Sequence, residues 1–433
     1  MTDNKAMTFF ITTLGCKVNQ HESQLMAGWL RKLGMTQQQS SAGADVIIIN
    51  SCTVTATADQ KTRQMLHRLR RENPEAVICV SGCVPQACPD KTATLGDADI
   101  IIGNSNREAL PGHILHFLET REPIIDIQPH SPTSGLGGGI VDFGERTRAY
   151  IKIEDGCNRF CAYCMIPYAR GRVRSRSLEE IGREAAMLAE AGYREAVLVG
   201  INLSAYGQDC GLTLAHAVQA VTAVEGIERV RLGSVEPDLL TPELLECLAG
   251  EPKFCPQFHM SIQSGCDQTL ERMRRRYTTA DYTALVETIR RRFDNPSITT
   301  DIMVGFPGET DEEFAASLAY FEKVGFARAH CFVYSRREGT VAAEMPDQVR
   351  PDIQNRRAAL LRQAAERSEE AFMNSQLDTV ASVLAERQRE DGRWEGYTKN
   401  YTPVRFAGEV KRGDIVNVKL CELRDGCCVG QML

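Results

Sequence analysis

Cys157, Cys161 and Cys164 stand in a Cys-x3-Cys-x2-Cys spacing, directly after a strand-like run at 149–153. A loop leaving a strand can fold three such thiolates onto one metal cluster, since thiolates are the usual protein ligands of iron–sulfur clusters. Three ligands for a four-iron cube leave one iron without a protein ligand, and an open metal position is what catalysis needs. A structural zinc site is the bland alternative. It calls for four protein ligands in two pairs, and no second pair stands near this one.

The loop also constrains the fold, because the chain around it alternates strand and helix. Strands are expected at 149–153, 196–199, 230–232, 258–262, 298–304 and 327–333, with helices at 178–191, 214–224, 242–248, 280–292 and 311–324. Six such units in this span predict a partial barrel, a curved parallel sheet open at one side. Functional groups of such barrels lie at the carboxyl ends of strands. Gly200, Asn202, Glu236, Gln263 and Ser264 occupy strand ends and are candidate ligand contacts, as is Tyr163 inside the cysteine loop. The glycine-bearing turn 305–308 is either a ligand contact or a plain strand-to-helix turn.

The amino-terminal 130 residues repeat the alternation: strands near 9–14, 45–50, 76–80 and 99–103, helices near 19–34 and 55–71. This pattern predicts a parallel sheet with helices on its faces. Ligands of such sheets collect outside the carboxyl ends of the strands. Cys16, Cys52 and Cys83 each lie just past such an end, so three cysteines distant in sequence are expected to meet at one sheet edge as a second cluster site. Cys79, inside a strand, reads as ordinary core, as does Cys88.

A Gly/Ser-rich stretch at 131–139 reads as a linker. The chain therefore divides into an α/β segment at 1–130, the partial barrel at 145–370 and a last segment at 371–433. The last segment carries short strand-like runs separated by turns and reads as a small β-barrel. Compact barrels of this kind commonly grip nucleic acid, with Lys399, Arg405, Lys411 and Arg412 as the candidate grip. Arg170, Arg172, Arg174 and Arg176 alternate just after the cluster loop. In extended chain they would fall on one side as a positive strip suited to a phosphate backbone. The net charge of −7 confines any nucleic-acid attraction to such local patches.

The 433 residues carry 16 cysteines. The first residues lack a secretory pattern, and no run of 18 or more apolar residues marks a membrane span. A reducing, cytoplasmic location is expected, where clustered cysteines suggest metal ligands or reactive thiols.

The cysteine loop, with Tyr163 just before its third cysteine, resembles the hallmark of radical S-adenosylmethionine enzymes. The whole chain resembles the methylthiotransferases among them, with a terminal domain similar to TRAM RNA-binding barrels. The stretches 13–19 (Thr-Leu-Gly-Cys-Lys-Val-Asn), 50–55 and 167–176 look most like the subgroup acting on threonylcarbamoyladenosine next to the tRNA anticodon. Ser51 departs from the threonine more usual in that family. The resemblance implies a 4Fe-4S cluster on Cys157, Cys161 and Cys164 that binds S-adenosylmethionine, and a second on Cys16, Cys52 and Cys83 that presents the sulfur. It further implies S-adenosylmethionine as both radical source and methyl donor, the tRNA anticodon stem-loop as partner, and an electron donor such as flavodoxin or ferredoxin. The alternatives are the same chemistry on isopentenyladenosine or on a ribosomal-protein aspartate, and, from another class, a non-catalytic metal-stabilised RNA-binding protein.

Overall fold

The computed structural model describes residues 6–132, 134, 136 and 147–433; most of the expected linker lies outside the described residues. The first body is a six-stranded parallel sheet ordered Thr36–Gln37, Thr8–Thr13, Val46–Ser51, Val77–Gly82, Ile100–Ile102, Ile124–Asp126. Successive side chains of a strand face opposite sides, and both sides here are covered. Val46 and Ile48 pack with Met26 and Leu30 of helix Lys17–Lys32 and Ile114 of helix Leu110–Thr120. Ile47 and Ile49 pack with Leu66 and Leu69 of helix Ala56–Glu72. Double coverage is why these strands read as unbroken apolar runs.

The second body is a curved parallel wall in two pieces. Arg229–Leu232, Glu195–Val199 and Arg148–Lys152 form one; Ser234–Val235, Gln257–Met260, Ser297–Val304 and Arg328–Val333 form the other. Only Gly233 separates the two. The wall is open between Arg148–Lys152 and Arg328–Val333. The amino-terminal body fills that side: Val18 packs against Val197 and Val199 on the wall's inner face.

A 24-residue helix, Pro351–Asn374, leads from the wall to the third body, a closed five-stranded barrel: Val380–Gln388, Trp394–Thr398, Pro403–Ala407, Cys427–Met432, Ile415–Arg424. Val383, Val404 and Val418 form its core with Phe406, whereas Val380 is exposed. Arg229 and Arg231 tie it to the wall through the carbonyls of Ser382, Tyr397 and Lys399. Among the described residues no helix is long and apolar enough to cross a membrane.

Candidate active site

The loop carrying Cys157, Cys161 and Cys164 leaves the wall's first strand through the short strand Glu154–Asp155. Gly156 lies at φ 94, and a Cβ there would stand 1.9 Å from the Arg172 carbonyl oxygen, so only glycine lets the loop turn. The three thiols sense one another. Burial, then the neighbouring Cys161 thiol, push Cys164 up to about 12. Burial chiefly pushes Cys157 up to about 12, with Cys161 and Glu236 adding to it. Gathered thiols that resist ionisation need a cation to deprotonate them, and bound metal does this. Arg275 supplies one positive group, its Nη1 3.3 Å from Cys161 Sγ.

Gly200 and Asn202 belong to this site. A Cβ on Gly200 would stand 2.6 Å from Glu154 Oε2. Asn202 donates its backbone N–H to that oxygen at 2.8 Å and reaches Cys157 Sγ with Nδ2 at 3.8 Å. Burial, then Asp155, raise the Glu154 carboxyl well above the usual range. Glu154 Oε1 and Asn202 Oδ1 are buried without a hydrogen-bond partner. Such orphans are rare in folded protein. Beside three thiols they suit a polar ligand with amino and carboxylate groups, as S-adenosylmethionine has. Tyr163 meets Phe306 edge-on at 6.3 Å.

The other strand-end residues divide. Glu236 is held by Arg275 at 2.5 Å, so its carboxylate orients the guanidinium beside Cys161. Gln263 adopts a left-handed φ of 67 and pairs with Ile302 as an isolated bridge. Ser264 is buried, and its hydroxyl accepts from the Cys266 N–H within its own turn. The 305–308 turn owes its first glycine to packing, since a Cβ on Gly305 would stand 2.4 Å from Gln354.

Cys16, Cys52 and Cys83 do meet. A Cβ on Gly15 would stand 2.9 Å from Cys52 Sγ. Cys16 donates to Asn19 Oδ1 at 3.3 Å, and Cys83 Sγ accepts from Asn104 Nδ2 at 3.5 Å. Burial, then Cys83, push Cys52 up to about 12, and desolvation by neighbouring protein raises the Cys16 thiol although the residue as a whole is exposed. Ser51 fills the place of the usual threonine with its hydroxyl in use: it donates to the Ser81 carbonyl at 2.6 Å and accepts from Val84 N–H at 3.2 Å. Among the described residues no three His, Cys, Asp or Glu side chains close around a single ion. An iron–sulfur cube asks for something wider, since each cysteine bonds a different iron.

The basic strip is a correction. Arg170 closes the short helix Ile166–Arg170, the chain beyond it is non-helical with a short strand at Arg174–Ser175, and Arg170, Arg174 and Arg176 are buried. Arg170 forks onto Glu22, with Nη2 to Oε2 at 3.0 Å, and also reaches Asn19. Arg174 donates to the Arg170, Arg172 and Ser134 carbonyls. Arg176 pairs with Glu184 at 2.5 Å. Buried carboxylates require such partners, so Arg170 ties the first two bodies together, Arg174 and Arg176 brace the second from within, and all three face protein. Arg172 alone stays exposed, 4.6 Å over the Phe160 ring. Nor are two residues of the barrel's grip free: Lys399 donates to the Pro252 carbonyl and Arg405 pairs with Glu395. Lys411 and Arg412 are exposed.

Lys17 falls within the 13–19 stretch, but its sequence context points to no site role for it. It projects into a cavity of about 560 Å³ in the wall's interior, lined from all three bodies by Cys16, Val18, Val199, Gly200, Arg328 and Tyr401 among others. Lys17 is an exposed residue, but desolvation by the surrounding protein, then Arg148 and Arg231, lower its ammonium to about 8.

A parallel open wall, a three-thiol loop after its first strand and a polar recess beside it define a radical S-adenosylmethionine enzyme. The Radical SAM superfamily model matches residues 151–321, and the model described as Uncharacterized protein family UPF0004 matches residues 8–103. The chain is 38% identical to threonylcarbamoyladenosine tRNA methylthiotransferase MtaB of Bacillus subtilis, over 94% of this chain and 92% of that one. It is 36% identical to tRNA-2-methylthio-N(6)-dimethylallyladenosine synthase of Pelotomaculum thermopropionicum, over 92% and 91%. The chain belongs to the radical S-adenosylmethionine tRNA methylthiotransferase family. In fold it is similar to the radical S-adenosylmethionine methyltransferase TsrM of Kitasatospora setae, with a TM-score of 0.56, 15% identity, and 78% and 77% of the two chains covered.

Proposed function

We propose that the protein adds a methylthio group to carbon 2 of N6-threonylcarbamoyladenosine next to the tRNA anticodon, acting in the cytoplasm. The observation that carries this reading is a pair of three-thiol sites in separate domains, with Cys16 of the one and Gly200, beside the loop of the other, lining the same interior cavity. On this reading Cys157, Cys161 and Cys164 hold one 4Fe-4S cluster, and Cys16, Cys52 and Cys83 a second. When bound, the first supplies radical chemistry on S-adenosylmethionine and the second the sulfur to be methylated. The chain's own part is orientation and exclusion. Asn202 and Glu154 offer polar atoms to the ligand of the first site. Arg275, fixed by Glu236, offsets negative charge at Cys161. Val18 closes the open side of the wall against water.

Division of labour follows the three segments: 1–130 presents sulfur, 145–370 generates the radical, and 371–433 grips RNA through exposed Lys411 and Arg412. An electron donor such as flavodoxin or ferredoxin is required. Relatives bearing both substrate names keep isopentenyladenosine as the second reading.

The test is to express the chain in a bacterial host stripped of its own methylthiotransferases and to measure tRNA nucleosides by mass spectrometry. Methylthio-threonylcarbamoyladenosine is the expected product, lost in Cys52→Ala. Methylthio-isopentenyladenosine in its place would overturn the substrate assignment.

A further inference from the structure

We infer that Lys17 reads the carboxylate of the threonylcarbamoyl group and so sets substrate choice within the family. The inference rests on the substrate reading above and names the residue that enforces it.

Lys17 follows Cys16 directly, so its position is tied to the thiol that faces the reacting carbon. On adenine, carbon 2 and carbon 6 are both neighbours of N1. A substituent on N6 therefore shares an edge of the base with the carbon that receives sulfur. With carbon 2 held near Cys16, that substituent has to enter the space next to it, where Lys17 projects.

The space suits an anion. Lys17, Arg148, Arg231 and Arg328 all line the cavity, and no carboxylate is among the lining residues. The arginines are partly committed: Arg148 pairs with Glu386 at 2.9 Å, Arg231 with Glu195 at 3.0 Å, and Arg328 lies 3.8 Å from Glu369. Lys17 makes no hydrogen bond or ion pair among the described residues. Lys17 is the cation of the four with no carboxylate partner, and Arg328 holds its own only at 3.8 Å. Gln257, His259 and Thr299 on the facing strands offer neutral partners for a urea and a hydroxyl. An isopentenyl chain in the same place would strip water from an unpaired ammonium, which is costly, whereas a carboxylate would form a charge-assisted hydrogen bond.

Anaerobic, cluster-loaded protein would be titrated by fluorescence anisotropy with four anticodon stem-loops. They carry adenosine, threonylcarbamoyladenosine, its methyl ester or isopentenyladenosine at the target position. Wild type is expected to bind the free acid at least about tenfold tighter than the ester, as loss of one charged hydrogen bond implies. Lys17→Met should erase that gap while leaving affinity for unmodified RNA in place, and Lys17→Arg should keep most of it. A gap that survives Lys17→Met sinks the assignment alone. Equal weakening of all four RNAs also overturns it, since that marks a phosphate contact. Wild type that prefers the isopentenyl stem-loop overturns the substrate reading, and the Lys17 assignment with it.

Discussion

Glu22 sits in the first helix of the amino-terminal body, yet its carboxylate belongs to two domains. Arg107 of its own body binds Oε1 at 2.7 Å; Lys152 of the wall binds the same oxygen at 2.9 Å, and Arg170 forks across both oxygens. Burial alone would raise this carboxyl. Arg107, Arg170 and Lys152 overrule burial and hold it well below the usual range. The stability it contributes is therefore present above the unfolded carboxylate pKa of about 4.3 and is lost as pH falls through the lower folded value. Removing one member of a buried network strands the others. Glu22→Gln is expected to cost about 3–5 kcal/mol, read as a lower thermal midpoint and faster proteolysis between the first two bodies. A midpoint unchanged at pH 7 would show the network is water-accessible and weak. Arg170 shows why residue roles were hard to read ahead of the fold. Its neighbours in sequence are other arginines, and alternation suggested a strip; its partners lie 148 positions away.

The helix Lys17–Lys32 spends every face. Met26 and Leu30 pack on its own sheet, Leu25 joins the wall's core, and Val18 enters the wall's interior. Asn19, His21, Glu22 and Ser23 look like a solvent face in sequence but are buried, because the wall is seated on them. Val18→Asp would place an unpaired carboxylate between Val197 and Val199, which burial disfavours strongly. It should push the helix start, and Cys16 with it, away from the wall. 5′-Deoxyadenosine release on reduction should persist while methylthio product falls, each followed by chromatography. Equal loss of both would mean that the first body is needed to shape the S-adenosylmethionine recess itself. Most strands and helices around both thiol sites were legible, since period 2 and period 3.6 patterns are strong where one side of an element is core. Helix Pro351–Asn374 was not. Its buried stripe is thin, Ala358, Leu361, Ala364 and Ala365 with Arg357 among them, and alanine carries little of the hydrophobic signal that periodicity needs. The gathering of Cys16, Cys52 and Cys83 was legible for a topological reason, since parallel strands deliver their carboxyl ends to one edge, and that of Cys157, Cys161 and Cys164 from their spacing in a single loop. Glu154 and Arg275 were not, because their partners are distant in sequence, and Lys17 was not, because its cavity forms only when the three bodies meet.

At the scale of the molecule, the third body is built in rather than tethered. Arg229 donates to the Ser382 carbonyl at 2.8 Å and the Tyr397 carbonyl at 3.1 Å; Arg231 donates to the Lys399 carbonyl at 2.8 Å and pairs with Glu195 at 3.0 Å. Tyr397 and Tyr401 stack at 4.5 Å, with Arg148 within 5.0 Å of both rings and Arg231 4.7 Å over Tyr401. Carbonyls at the end of a small barrel are thus satisfied by arginines rooted in the wall. The side chains beneath the joint, Arg148, Arg231 and Tyr401, also line the interior cavity. Release of the barrel should therefore loosen the cavity floor as well as the RNA grip. Arg229→Met with Arg231→Met leaves Glu195 buried beside fewer partners and three carbonyls unpaired. Small-angle scattering should then show a larger radius of gyration and a broader distance distribution than wild type. Affinity for an anticodon stem-loop should fall by roughly tenfold or more, since truncating one partner of a buried hydrogen-bonded pair costs about 2 kcal/mol or above. An unchanged scattering profile would mean that the aromatic stack and helix Pro351–Asn374 suffice to hold the barrel, and that these arginines serve the cavity alone.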